Sequence, residues 1–176
     1  MPPGFSQFIF QFKSVELRTL YYRNYRPNMF FQEFTKLLKA DELLKLQPNV
    51  MLKVVLIAEL AAERQLLQPL SKIIVDARLP LIIRERCIIA LKPLVPKMRG
   101  QIVSHIFELL FRNEFQHGEM KTALYSVLLE QPTPSIVQSC IYRLIKFEKC
   151  HVARRFVYET LLSLATTRDL NLPVVT

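Results

Sequence analysis

The chain has 176 residues, with 24 Lys and Arg against 15 Asp and Glu, a formal net charge of +9 and 51% apolar residues. That length suits one domain or one piece of a larger one, and the apolar content excludes disorder, which needs low hydrophobicity and high net charge. Three glycines against eleven prolines argue against an all-β fold, whose tight turns consume glycine, and for helices punctuated by proline.

Taken in order, residues 5–24 are aromatic-rich, with Phe8, Phe12, Val15 and Thr19 at helical spacing. After Pro27, the residues Phe30, Phe31, Phe34, Leu37, Leu38 and Leu44 follow an i, i+3, i+4, i+7 rhythm, the buried stripe of an amphipathic helix. Residues 1–47 are therefore expected to form an N-terminal helical hairpin that Pro48 stops. A helix of Ala, Leu and Glu content follows from Val50 to Leu67, and Pro69 opens a shorter one before Pro80.

From Leu81 to Val95 the pattern places Ile83, Cys87, Ala90, Leu91 and Leu94 on one face, with Pro93 kinking or framing the end. Pro96 begins the next helix, whose stripe is Ile102, Ile106, Leu109 and Leu110, and His117 with Gly118 makes a turn. Helices over 119–131 and 135–147 flank the Pro132-Thr133-Pro134 break. The last runs from about Cys150 to Thr166 and carries Val152, Phe156, Val157, Thr160, Leu161 and Leu164. The tail, residues 169–176, has strand character and no partner strand.

These segments pair. The first helices of successive pairs start near Val50, Leu81, Phe115 and Cys150, a period of about 33 residues. Three share a small residue, Ala58, Ala90 and Ala123, at intervals of 32 and 33, as close helix approach requires. Second helices begin at or just after Pro69, Pro96 and Pro134, where a missing N–H costs nothing. The fold class expected is all-α, a two-layer α-α superhelix, with about four and a half hairpins in the whole chain and the superhelix hairpins proper over 48–168, because no single hairpin of such a period buries its own stripe.

No catalytic constellation is legible, and the chain is read as a non-enzyme. His105, beside Glu108 at i+3, His117 in a turn and His151 near a helix start share no ligand spacing, so no metal and no cofactor are expected. Gly4, Gly100 and Gly118 stand too far apart for a phosphate loop, and no serine sits in a nucleophile elbow. Cys87, Cys140 and Cys150 are too sparse for a disulfide scaffold and read as free thiols. No run of eighteen apolar residues occurs, so no transmembrane segment is expected.

The basic excess gathers in two places. Lys92, Lys97 and Arg99 surround one connection; Arg143, Lys146, Lys149, Arg154 and Arg155 surround another. Stacked hairpins would align them into a basic rim facing anionic lipid, an acidic domain or nucleic acid. The plainer reading is that bases near helix C-termini complement the macrodipole. No nucleic-acid-binding motif is present, so no nucleic acid is expected.

An ordered series over residues 84–172 resembles the α-helical superhelix of the large lipid transfer proteins: vitellogenins, apolipophorins, apolipoprotein B and the large subunit of microsomal triglyceride transfer protein. Its parts are Arg84, Ala90, Leu91 and Leu94; then Glu119, Lys121, Ala123, Leu124, Leu128, Leu129, Pro132 and Pro134; then Glu148, Val152, Phe156, Val157, Leu161 and Leu164. The match weakens toward the N-terminus, and the family's β-barrel and lipid-cavity sheets have no counterpart in this chain.

The resemblance implies a fragment from the C-terminal part of that superhelix, with 169–176 leading toward an absent β-sheet region. It implies a lipid-transport role bracing a lipid-binding cavity, with phospholipid, neutral lipid and the cavity β-sheets of the same parent chain as partners. Localisation would be extracellular or in the secretory pathway, reached by a signal lying upstream; otherwise the chain is cytoplasmic. The alternative function is an intracellular HEAT-like or armadillo-like scaffold binding protein or RNA through the basic rim. Phe107, Phe111, Phe115, Phe147 and Phe156 are then either core between repeats or contacts with lipid-cavity sheets.

Overall fold

The structure, a computed structural model, describes residues 32, 34–111 and 117–166. Most of the expected N-terminal hairpin, Phe115 and the strand-like tail lie outside the described residues. Within them the fold is all-α: α1 (Ala40–Leu43), α2 (Pro48–Ala61), α3 (Leu67–Val75), α4 (Leu81–Ile89), α5 (Val95–Phe111), α6 (Gly118–Leu128), α7 (Pro134–Lys146) and α8 (His151–Thr166), with no strand among the described residues.

Proline sets the frame. Pro48 and Pro134 each occupy the first helical position, of α2 and α7, where fixed φ is an advantage. Thr133 caps α7, its hydroxyl accepting from the Ile136 N–H at 3.4 Å. Pro93 ends the 81–95 helix earlier than expected: α4 stops at Ile89, and Pro93 sits in a 3-10 turn, Lys92–Leu94. Its ring would clash with the carbonyl four residues back in a continuing α-helix. α5 bends at Met98, whose backbone is non-helical (φ −144°, ψ 32°). α2 closes on Ala62 in the left-handed region at φ 48°, a place more often given to glycine.

The chain divides into two compact units, 1–102 and 103–176, the division falling inside α5. In the first, α2 and α3 both pack on α4. The stripe Ile83, Cys87, Ala90, Leu91 and Leu94 is fully buried, as its spacing predicts, and so are Val54 and Ala58 of α2 and Leu70, Ile73 and Ile74 of α3, the helices that pack on α4. Glu59 of α2 and Arg86 of α4 join the two helices through a half-buried ion pair.

In the second unit α6 and α7 pack on α8. Met120, Ala123, Leu124, Tyr125 and Leu128 of α6 are buried, as are Ala153 and Val157 of α8 and Ile106, Leu109 and Leu110 at the end of α5. Gly118, opening α6, lies against α8: a Cβ there would meet Val152 Cβ at 3.2 Å and Cys150 Sγ at 3.3 Å. Both units repeat one relation, a helix packed on the helix two further along. The partners start at positions 48 and 81 in one unit and 118 and 151 in the other, each pair 33 residues apart.

Candidate binding face

The second unit has a buried polar centre built on Glu148, which is 4% exposed. Lys121 Nζ of α6 donates to Glu148 Oε1 at 2.8 Å, the Tyr125 hydroxyl to Oε2 at 3.1 Å, and the Cys150 backbone N–H to Oε1 at 2.9 Å. A carboxylate taken from water needs such partners, and three donors leave it satisfied. Burial opposes its ionisation, but the Lys121, Cys150 and Tyr125 bonds and the Lys121 charge together outweigh it, so the pKa lies below the ordinary value. Tyr125 is shifted the other way, first by burial and then by Glu148, with the charge of Arg143 opposing.

Arg143 corrects an expectation. Read by chain position it belongs to the basic rim; in the structure it is 4% exposed. The physical reason is helical spacing: Ile136, Cys140 and Arg143 fall on one stripe of α7, the buried one. The guanidinium, through NH2, donates to the carbonyl of Leu110 in the last turn of α5, and it lies over the Phe111 ring, 4.6 Å from its centroid. Helix-terminal carbonyls lack intrahelical partners and carry the negative end of the macrodipole, so a cation there is doubly favoured.

The same device recurs in the first unit. Arg84 Nε donates to the Ile74 carbonyl in the last turn of α3 at 2.8 Å, and Lys97 Nζ to the Ala62 carbonyl just past α2 at 2.7 Å. The other bases named for the rim stay at the surface: Lys97, Arg99, Lys146, Lys149, Arg154 and Arg155 are exposed and Lys92 is half-buried. Arg155 pairs with Glu159 at 2.8 Å.

The outer side of α7 is polar in its first half, where Ser135, Gln138 and Ser139 are exposed, and largely apolar in its second. Ile141, Tyr142 and Ile145 face outward, Ile145 with 70% of its surface exposed, and Phe147 follows. Phe111, at the end of α5, is 63% exposed. Phe147 makes edge-on contacts with Phe111 (6.3 Å between centroids) and Tyr142 (5.7 Å). Phe111 and Phe147 are therefore not core between repeats, and Val152 of the α8 stripe also faces outward. Between the C-terminal part of α5 and α7 runs a groove of about 570 Å³ walled by Phe107, Phe111 and Tyr142, with Ser104, Gln138 and Ser139 along it and Arg143 lining it.

Local sequence missed this arrangement. The usable signals were the phase of Arg143 with Ile136 and Cys140, and a second apolar stripe, Ile141, Tyr142 and Ile145, on the same helix. Among the described residues no group of three or more His, Cys, Asp or Glu side chains is placed to hold a metal, and no helix is long and apolar enough to cross a membrane. His117 precedes α6 and His151 begins α8. No family model, curated protein or solved structure matches this chain.

Proposed function

We propose that this chain is a non-enzymatic helical scaffold in lipid transport, a segment of a two-layer α-α superhelix whose apolar face braces the lipid-bearing part of a larger assembly. The observation that carries the reading is the outer side of α7. Tyr142, Ile145, Phe147 and the adjoining Phe111 put large apolar side chains into water at one place, and contiguous patches of this kind mark surfaces that are covered in use. The superhelical reading is supported by the repeated packing of helices whose starts lie 33 residues apart. The lipid reading is supported by the ordered residues from Arg84 to Leu164 that resemble the lipid transfer proteins.

The second reading, a scaffold for protein or RNA, has its own observation: Lys146, Lys149 and Arg154 are exposed beside the apolar face. Mild isolation of the protein from its native source, followed by lipid and nucleic-acid analysis of the purified particle, separates the two. Co-purifying phospholipid and neutral lipid is the expected result. A lipid-free complex with protein or RNA supports the second reading.

A further inference from the structure

We infer that the closed end of the α7–α8 hairpin docks on an anionic lipid surface, its apolar side chains entering the layer and its bases meeting the headgroups. The inference deepens the lipid reading of the same face and rests on it, naming what that face touches.

Only residues 147–150 join α7, ending at Lys146, to α8, beginning at His151, so the side chains near the join lie at one end of the hairpin. Two kinds gather there. Tyr142, Ile145, Phe147 and Val152 are each more than half exposed, and Phe111 stands beside Phe147. Lys146, Lys149 and Arg154 are exposed too, and among the described residues none of the three side chains makes a hydrogen bond or an ion pair. From Gln131 to Tyr158 the only acid is Glu148, and it is buried on Lys121, Tyr125 and Cys150. Arg155 meets Glu159, but the other three bases keep their charge unanswered. Turning the one carboxylate inward leaves this end both apolar and cationic.

That combination selects the partner. At an anionic lipid surface apolar groups enter the boundary between headgroups and acyl chains, while Lys and Arg reach the phosphates on long stems. Each base close to such a surface strengthens binding roughly fivefold. A tyrosine suits the same boundary, its ring in the apolar layer and its hydroxyl in the wet one. Nucleic acid would reward the bases and the rings but not Ile145 and Val152, which neither stack nor donate. An acidic protein would need a surface shaped to each protruding side chain, whereas a fluid lipid layer needs none.

The chain has no tryptophan, so Phe147→Trp places a single fluorescent reporter at the hairpin end. The full chain carrying it is titrated with phosphatidylcholine vesicles, with and without phosphatidylserine at about 30%. The expected result is a blue shift and quenching by brominated acyl chains on the anionic vesicles, with partition to the neutral ones weaker by at least about tenfold. Leu162→Trp, about 16 Å further along α8, should show neither change. In the Phe147→Trp background, Ile145→Ser and the combined Lys146→Gln, Lys149→Gln and Arg154→Gln should each weaken anionic partition by about tenfold at an unchanged melting temperature, since all four positions are exposed. No binding, equal partition to both vesicles, or equal shifts at positions 147 and 162 overturns the inference. A blue shift of the same size with polyglutamate or RNA alone overturns it in favour of that partner. Native particles that carry lipid, from a chain that ignores vesicles, would sink this inference and leave the scaffold reading standing; lipid-free native particles would sink the scaffold reading itself.

Discussion

Arg143 donates a hydrogen bond to the carbonyl of Leu110, 33 residues earlier in the chain, and so closes the C-terminal end of one helix from the buried side of another. That separation equals the spacing of the helices that pack together in each unit. With Arg84 on Ile74 and Lys97 on Ala62, it shows part of the basic excess spent on helix ends.

Replacing Arg143 by Met should therefore cost about 2 kcal/mol, the combined loss of a charge-assisted bond and a desolvated contact with the Phe111 ring. Arg143→Lys should recover less than half, because an ammonium cannot cap the carbonyl and lie flat over the ring together. Urea denaturation of the three proteins measures the difference. Equal stability of wild type and Arg143→Met would contradict the capping role.

Glu148→Gln should destabilise the second unit by about 3 kcal/mol at neutral pH, since it strands the Lys121 ammonium, which is mostly buried. The folded-state pKa of Glu148 is lowered, so its contribution is complete above the ordinary carboxylate value of 4.5 and is lost as pH falls through the folded value. The gap between wild type and Glu148→Gln should narrow over that acidic window. A gap independent of pH would contradict the network. Tyr125→Phe, which keeps the ring and removes one of three donors, should cost about 1 kcal/mol.

The two described glycines should respond with opposite signs. Gly118→Ala places a Cβ 3.2 Å from Val152 Cβ, and overpacking at a close helix approach should cost about 1 kcal/mol. Gly100 lies within α5 with nothing inside 4 Å of an added Cβ, so Gly100→Ala should stabilise by about 0.5–1 kcal/mol. Thermal melts of both variants check this, and a shared sign would contradict the packing at Gly118.

Thiol labelling should distinguish the cysteines. Burial pushes the Cys87 thiol far up, and the Cys140 thiol up to about 12 despite the nearby charge of Arg143. Cys150 is half-buried. A maleimide should modify Cys150 first, leaving Cys87 and Cys140 for the unfolded chain. Equal rates at all three would contradict the buried positions.

The sequence carried the helices and their inner faces well, and the reason is local. Ile83, Cys87, Leu91 and Leu94 recur at the helical period, and proline marks helix starts through one residue's own geometry. The candidate face was less legible because it depends on partners far along the chain. Arg143, grouped with its basic neighbours, lies in phase with Ile136 and Cys140, and the face it occupies decides its burial. Glu148 is the one acid between Arg143 and Arg155, yet nothing local pairs it with Lys121, 27 residues away. Hydrophobicity left Phe111 and Phe147 open between a core and a contact surface, because their exposure is set by what the neighbouring helices leave uncovered.

In the proposed role, the apolar side of α7 is covered by the lipid-bearing part of an assembly. Buoyant-density centrifugation of the protein expressed in its native source, comparing wild type with Ile145→Asp, tests it most directly. Ile145 is 70% exposed, so the added charge should leave the fold intact. Wild type should float with lipid, and Ile145→Asp should move to the lipid-free fractions with an unchanged melting temperature. Wild type sedimenting free of lipid, or both proteins floating alike, would contradict it.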